Sequence, residues 1–261
     1  MPATEGLAGR LESWVRAPVG EIRLIPYVMA GFPDRASAVA QGRAYARAGA
    51  AAVEVGVAYS DPLADGPVVQ RAGQAALQGG VTMADALATA AAIAATGTPA
   101  ILMTYVNPVL AFGVSRFARE AGEAGVSGVI VPDLPVEEAA PVAGPLREAG
   151  VDTIFLVAPT SPDSRITAIA DRSTGFVYCV TVAGVTGARA DLPSGLEALL
   201  GRVRALTSLP VAAGFGISRP EHVRRLRGVA DAAVVASALL DRVERGLDPE
   251  RLFEELLGAC R

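Results

Sequence analysis

Ala51-Ala52-Val53-Glu54-Val55-Gly56-Val57-Ala58-Tyr59-Ser60-Asp61-Pro62-Leu63-Ala64-Asp65-Gly66-Pro67 passes from an apolar run into a loop punctuated by proline and glycine. A strand buried on both faces reads as such a continuous apolar run, the mark of a parallel sheet covered by helices. One residue violates the pattern. A carboxylate at Glu54 in the middle of the run is costly to desolvate, so it must be paired or used in chemistry. A second carboxylate, Asp65, follows on the loop.

Short β-branched or apolar runs alternate with longer amphipathic stretches along the rest of the chain, at a period of roughly 25 to 30 residues, about what one βα unit of a barrel needs. The runs predict strands over Arg23 to Ala30, Ala52 to Val57, Ala100 to Tyr105, Gly128 to Pro132, Asp152 to Val157, Gly175 to Val180, Pro210 to Ala213 and Ala232 to Ala236. Helical spacing is expected over Arg35 to Ala48, Met83 to Ala95, Val114 to Ala124, Val136 to Glu148, Ser161 to Asp171, Ser194 to Leu206, Pro220 to Arg227, Leu239 to Arg245 and Pro249 to Cys260. In Ser194 to Leu206, for example, Leu196, Leu199, Leu200, Val203 and Leu206 share one face. Eight βα units in 261 residues predict an α/β fold, a (β/α)8 TIM barrel forming one domain over residues 1–261. A doubly wound open sheet also has parallel strands but rarely carries so many even repeats. Leu7 to Val15 is expected to add an extra helix across the N-terminal mouth.

In such a barrel the active site forms at the C-terminal ends of the strands. Glu54 falls in the second strand and Asp65 in the loop after it, on that face. Gly187 lies on the loop after the sixth strand, Gly214 and Gly216 follow the seventh, and Ser237 follows the eighth at the start of a helix. Gly214-Phe215-Gly216 with Ser237 would set backbone N–H groups around an anion near a helix N-terminus, a phosphate cradle that needs no lysine. Each feature has a plainer reading too: Glu54 as a structural ion-pair member, Asp65 as a turn cap, Gly-x-Gly as a strand end.

Composition narrows the chemistry. At 51% hydrophobic and 19% charged residues the chain is ordinary globular stock, and a net charge of -4 gives no basis for binding nucleic acid or an anionic membrane. No apolar segment reaches the roughly 18 to 20 residues of a membrane span, and Met1 to Arg16 lacks the order of a secretory signal, so the expected location is cytoplasmic. Cys179 and Cys260 are too few for a disulfide framework and are expected to be small buried hydrophobes. All 23 basic residues are arginine, so no side chain can form a Schiff base. His222 is the single histidine, which leaves no His cluster for zinc and no obvious Ser-His-Asp triad, and no metal is expected; in the polar run Arg219 to Arg224 it is expected on a solvated helix face. Carboxylates, hydroxyls and backbone N–H groups would have to carry any reaction.

The segment Glu54 to Gln70 resembles the signature of the tryptophan synthase alpha subunit family. The resemblance recurs at Leu24-Ile25-Pro26-Tyr27, Met103-Thr104-Tyr105-Val106-Asn107-Pro108, Pro132-Asp133-Leu134-Pro135-Val136-Glu137-Glu138, Ala183-Gly184-Val185-Thr186-Gly187 and Gly214-Phe215-Gly216-Ile217. It implies a lyase of tryptophan biosynthesis that cleaves indole-3-glycerol phosphate to indole and glyceraldehyde 3-phosphate, with no cofactor on this chain. It also implies a partner, a pyridoxal-phosphate beta subunit, in an αββα heterotetramer. On the same resemblance Glu54 is the general acid/base, Asp65 accepts the indole N–H, and Tyr178 stands near the glutamate. Thr186 matches a lid residue that bonds the aspartate when closed, Tyr27, Met103 and Tyr105 are expected to line an indole pocket, and Gly187, Gly214, Gly216, Ala236 and Ser237 to surround the phosphate.

Two positions depart from the family pattern. Ala58 replaces the usual proline on a loop that in the family faces the beta subunit, and Ala236 replaces the usual glycine before Ser237, so its backbone must avoid a conformation only glycine adopts. Two other functions are compatible with the resemblance: a stand-alone lyase that releases free indole, and a non-catalytic scaffold that only activates a beta subunit. The second has no need of a buried carboxylate.

Overall fold

Nine short parallel strands make one sheet in the computed structural model, which describes residues 10–180, 192, 195–214 and 216–261. They are β1 (Arg23–Met29), β2 (Val53–Gly56), β3 (Ala100–Met103), β4 (Val126–Ile130), β5 (Asp152–Ile154), β6 (Leu156–Val157), β7 (Val177–Val180), β8 (Val211–Gly214) and β9 (Ala232–Val235). Neighbours run in the order β5-β4-β3-β2-β1-β9-β8-β7-β6. The two ends of that order are halves of one segment. β5 pairs with β4 and β6 with β7, and Phe155 alone separates them, so the chain itself joins the two edges and closes a TIM barrel.

The single strand predicted over residues 152–157 keeps its alternation but changes partner midway. Ile154 and Leu156 face the barrel interior while Phe155 and Val157 face the helices. Eight predicted strands thus appear as nine.

A period of two sorts the other strands in the same way. Val28, Val55, Leu102, Val129, Val177 and Val235 pack outward under the helices, whereas Ile25, Ala52, Ile101, Ile130, Ala212 and Ala232 fill the interior. Burial on both faces is why these runs carry almost no polar residue. At the N-terminal mouth the helix Arg10–Val15 inserts Leu11 and Val15, both fully buried, into the interior cluster. Gly128 and Gly175 make room for it: a Cβ on either would lie 2.9 Å from Leu11 Cδ2. The first three residues of the predicted helix lie outside the described residues.

Helices Pro67–Gln78 and Val106–Phe112 are not predicted by the periodicity. The first begins with proline at its first turn, where the missing N–H costs nothing, directly behind the loop that carries Asp65. The helix predicted from Val136 starts only at Ala140, because Val136 to Glu138 form a turn. His222 also departs from expectation. It is buried, on the inner face of helix Pro220–Leu226 with Val223 and Leu226, and its Nδ1 accepts the Ser218 N–H at 3.3 Å. Cys179 and Cys260 are buried free thiols, as expected. Among the described residues no single helix is long and apolar enough to cross a membrane.

Candidate active site

Extending each interior row by two residues toward the C-terminal end of its strand leads into a cavity of about 510 Å³. Ile25 is followed by Tyr27, Ala52 by Glu54, Ile101 by Met103 and Ala212 by Gly214, all of them lining residues. Glu54 and the Tyr27 hydroxyl bring polar groups into this row beside Met103 and Gly214, so the aliphatic core of the barrel ends where the cavity begins.

Glu54 lies on β2, in register with Tyr27 on one side and Ile101 on the other. It is 1% exposed, and its Oε2 has no hydrogen-bond partner among the described residues. Burial pushes its pKa up to about 8, and the nearby Asp65 charge adds to the effect. The proton is therefore retained at neutral pH. Gly56 follows two residues later because the Tyr27 ring crosses its face: a Cβ there would meet the Tyr27 hydroxyl.

Asp65 is fixed from three sides. Its N–H donates to the Pro62 carbonyl at 3.1 Å, its carbonyl accepts the Gln70 side-chain amide at 2.9 Å, and its carboxylate accepts the Tyr105 hydroxyl. That hydroxyl in turn accepts the Ala64 N–H at 3.0 Å. Burial raises the pKa of Asp65 to about 6 and the Tyr105 hydrogen bond pulls it back. Two carboxyl groups facing one cavity are thus held in different states near pH 7, Glu54 protonated and Asp65 ionised.

Tyr178 on β7 borders the same space, and its ring lies where a Cβ on Gly214 would approach to 2.6 Å, so the glycine is a space requirement. Gly216 has φ +68°, a left-handed backbone that favours glycine. Ala236 has φ -112°, outside the left-handed region that favours glycine, so its backbone does not require the glycine usual in the family. At the start of helix Ser237–Glu244 the Ala236 carbonyl accepts the N–H groups of Leu239 and Leu240 at 3.0 and 3.1 Å. Those of Ser237 and Ala238 come before any helical carbonyl they could reach, so they are the groups at this helix start that could take an anion.

The residues singled out in the sequence therefore fall into three groups. Tyr27, Glu54, Asp65, Met103, Tyr178, Gly214, Gly216, Ala236 and Ser237 line one cavity. Tyr105 stands behind Asp65 as its brace and does not face the open space. Thr186 and Gly187 lie outside the described residues. Pro132, Leu156 and Arg165 also line the cavity and escape the sequence reading. The alternation could have found the first two, which stand two residues beyond Ile130 and Ile154; nothing in the pattern marks Arg165. Among the described residues no cluster of three or more His, Cys, Asp or Glu could hold a metal ion.

The raised pKa of Glu54 has a cost for the fold. The folded carboxyl holds its proton up to about pH 8 while the unfolded one loses it near 4.5, so stability falls as pH rises through that window and stays reduced above it. Glu54→Gln is expected to raise the unfolding free energy by roughly 1 to 4 kcal/mol at pH 9 and to change it little at pH 4, as read from denaturant melts at the two pH values.

The family model described as tryptophan synthase alpha chain matches residues 17–258. The tryptophan synthase alpha chain of Roseiflexus sp. (strain RS-1) is 47% identical over 235 residues, covering 89% of this chain and 90% of its own. That of Synechocystis sp. (strain ATCC 27184 / PCC 6803 / Kazusa) is 47% identical over 244 residues, covering 93% and 92%. Among solved structures, a chain of Mycobacterium tuberculosis tryptophan synthase superposes with a TM-score of 0.89 at 40% identity, covering 100% of this chain and 99% of its own. A mutant alpha-subunit from Pyrococcus furiosus gives a TM-score of 0.83 at 38% identity, covering 92% and 100%.

Proposed function

Because the chain belongs to the tryptophan synthase alpha chain family, we propose that its cavity performs the family's lyase reaction, the retro-aldol cleavage of indole-3-glycerol phosphate to indole and glyceraldehyde 3-phosphate in tryptophan biosynthesis. The observation that carries this reading is Glu54, a buried carboxyl whose Oε2 has no partner among the described residues, facing the same cavity as Asp65, with burial raising its pKa further than that of the aspartate.

The reaction needs one proton delivered to indole C3 and one removed from the C3′ hydroxyl of the glycerol chain. Protonated Glu54 gives its proton to C3, which turns the ring into an indolenine with positive charge on nitrogen. Asp65 accepts the hydrogen bond of that N–H and stabilises the charge as it builds. Glu54, now a carboxylate, takes the hydroxyl proton. The O–H electrons form the aldehyde C=O, the C3–C3′ bond breaks, and its electron pair neutralises the ring as indole. Glu54 ends protonated, as it began. The N–H groups near Gly216 and Ser237 hold the phosphate, and Met103, Tyr27 and Tyr178 pack against the indole. Every proton and charge in this route is handled by the chain itself, so it calls for no cofactor here.

The family works with a beta subunit. We place this chain in an αββα heterotetramer with a pyridoxal-phosphate beta subunit and in the cytoplasm, where two unpaired cysteines fit a reducing compartment. Exposed Asp61 and Leu63, on the loop that also carries Asp65, give the partner a direct hold on the catalytic aspartate. The test is indole release by the purified chain from indole-3-glycerol phosphate, with and without a beta subunit. Release that rises strongly with partner is expected; release that is fast alone and indifferent to partner would make it a stand-alone lyase, and no release in either condition would refute the assignment.

A further inference from the structure

We propose that Arg165 is the residue that draws the phosphorylated substrate into the cavity, and that Glu137 moderates it as a counter-ion. The inference rests on the substrate being an anion, as the reading above has it. Its starting point is a mismatch of charge. The cavity holds Asp65, which is ionised near neutral pH, and the whole chain carries -4, yet the substrate to be admitted carries a phosphate dianion. Among the described residues that line the cavity, Arg165 is the only one with a positive charge.

Its position marks it as a residue of the rim. Arg165 lies in the first turn of helix Asp163–Arg172, just after β6, and its side chain remains 43% exposed. The Glu137 carboxylate, on the turn after β4, meets it at 2.7 and 3.3 Å. The phosphate seat at Gly216 and Ser237 belongs to β8 and β9, a different wall of the barrel. Arg165 is therefore a cation passed on the way in.

As a structural brace this pair is weak, because an ion pair between two side chains this exposed contributes little. As an electrostatic feature it matters more. A single-sign charge at the mouth of a low-dielectric cleft focuses the field and raises the association rate of an oppositely charged ligand, and Glu137 cancels part of that field. The neighbouring arginine on this side, Arg202, is spent on Asp163 at 2.6 Å. A steering role and a bracing role make opposite forecasts for the two single variants. Removing either partner breaks a brace equally, whereas removing Arg165 weakens attraction and removing Glu137 strengthens it.

The experiment measures association rates for the non-cleavable analogue indole-3-propanol phosphate and for its uncharged alcohol, indole-3-propanol, at low and high ionic strength. Wild type, Arg165→Gln and Glu137→Gln are compared, with kcat/KM for indole-3-glycerol phosphate alongside. Expected at low ionic strength is a drop of about tenfold for the phosphate with Arg165→Gln, a gain of a few fold with Glu137→Gln, no change for the alcohol, and convergence of all three proteins in high salt. The same order should appear in kcat/KM. Equal slowing by both variants, equal slowing of the alcohol, or indifference of both would overturn the proposal. A wild type that binds the phosphate analogue with this pattern but releases no indole would refute the lyase reading and leave the steering role standing; one that cleaves substrate normally while Arg165→Gln matches it would do the reverse. A wild type that binds neither analogue would refute both.

Discussion

Glu54→Gln is expected to release indole from indole-3-glycerol phosphate at least about 10³-fold more slowly than the wild type, since one side chain carries two proton transfers and each is worth about 10² to 10⁴ in rate. Glutamine has nearly the same shape and can occupy the same slot on β2, but it can neither deliver a proton to indole C3 nor take one from the hydroxyl. The loss should fall on kcat, with analogue binding retained, and the protein should be more stable than wild type at high pH, because an amide does not ionise. That combination, a protein that is less active and better folded, separates chemical loss from structural damage. A variant that releases indole within tenfold of the wild-type rate would remove Glu54 from the mechanism.

Asp65→Asn is expected to lower kcat/KM by about 10² to 10³, the usual cost of deleting one preorganised group that stabilises transition-state charge. Asparagine can still accept a hydrogen bond from the indole N–H, so ground-state binding changes less than turnover. A second consequence follows from the electrostatics between the two carboxyls. After burial, the Asp65 charge is the other cause that raises the pKa of Glu54. Removing that charge should let Glu54 ionise at lower pH, and the alkaline limb of the residual activity should move down accordingly. A residual profile with an unmoved alkaline limb would mean that the two groups do not sense each other across the cavity.

The barrel was legible in the sequence because its signal is repeated. Strands such as Ala100–Met103 and Ala232–Val235 are buried on both faces and therefore read as unbroken apolar runs, and the same spacing that names the strands also says which residues face inward. Glu54 stood out for the same reason, as a charge in the middle of such a run, whereas Arg23 and Asp152 stand at the start of theirs. What escaped was set by tertiary context. The change of partner at Phe155 depends on barrel closure, which no local pattern encodes. His222 reads as polar surface from its neighbours and is buried because helix Pro220–Leu226 turns it inward beside Val223. Tyr105 looked like pocket lining by its spacing from Met103, yet β3 ends at Met103 and the tyrosine hydroxyl reaches back to the Asp65 loop. Arg165 was invisible because an arginine near a helix start is ordinary; only the fold brings it to the cavity.

The most direct test of this account is the pH dependence of kcat/KM for indole release by the wild type. It should rise through an apparent pKa of about 6 as Asp65 ionises and fall through about 8 as Glu54 loses its proton, with a maximum near neutrality. Asp65→Asn should lose the acid limb. A profile that is flat from pH 5 to 9, or an acid limb that survives in Asp65→Asn, would contradict the assignment of a protonated glutamate and an ionised aspartate as the working pair.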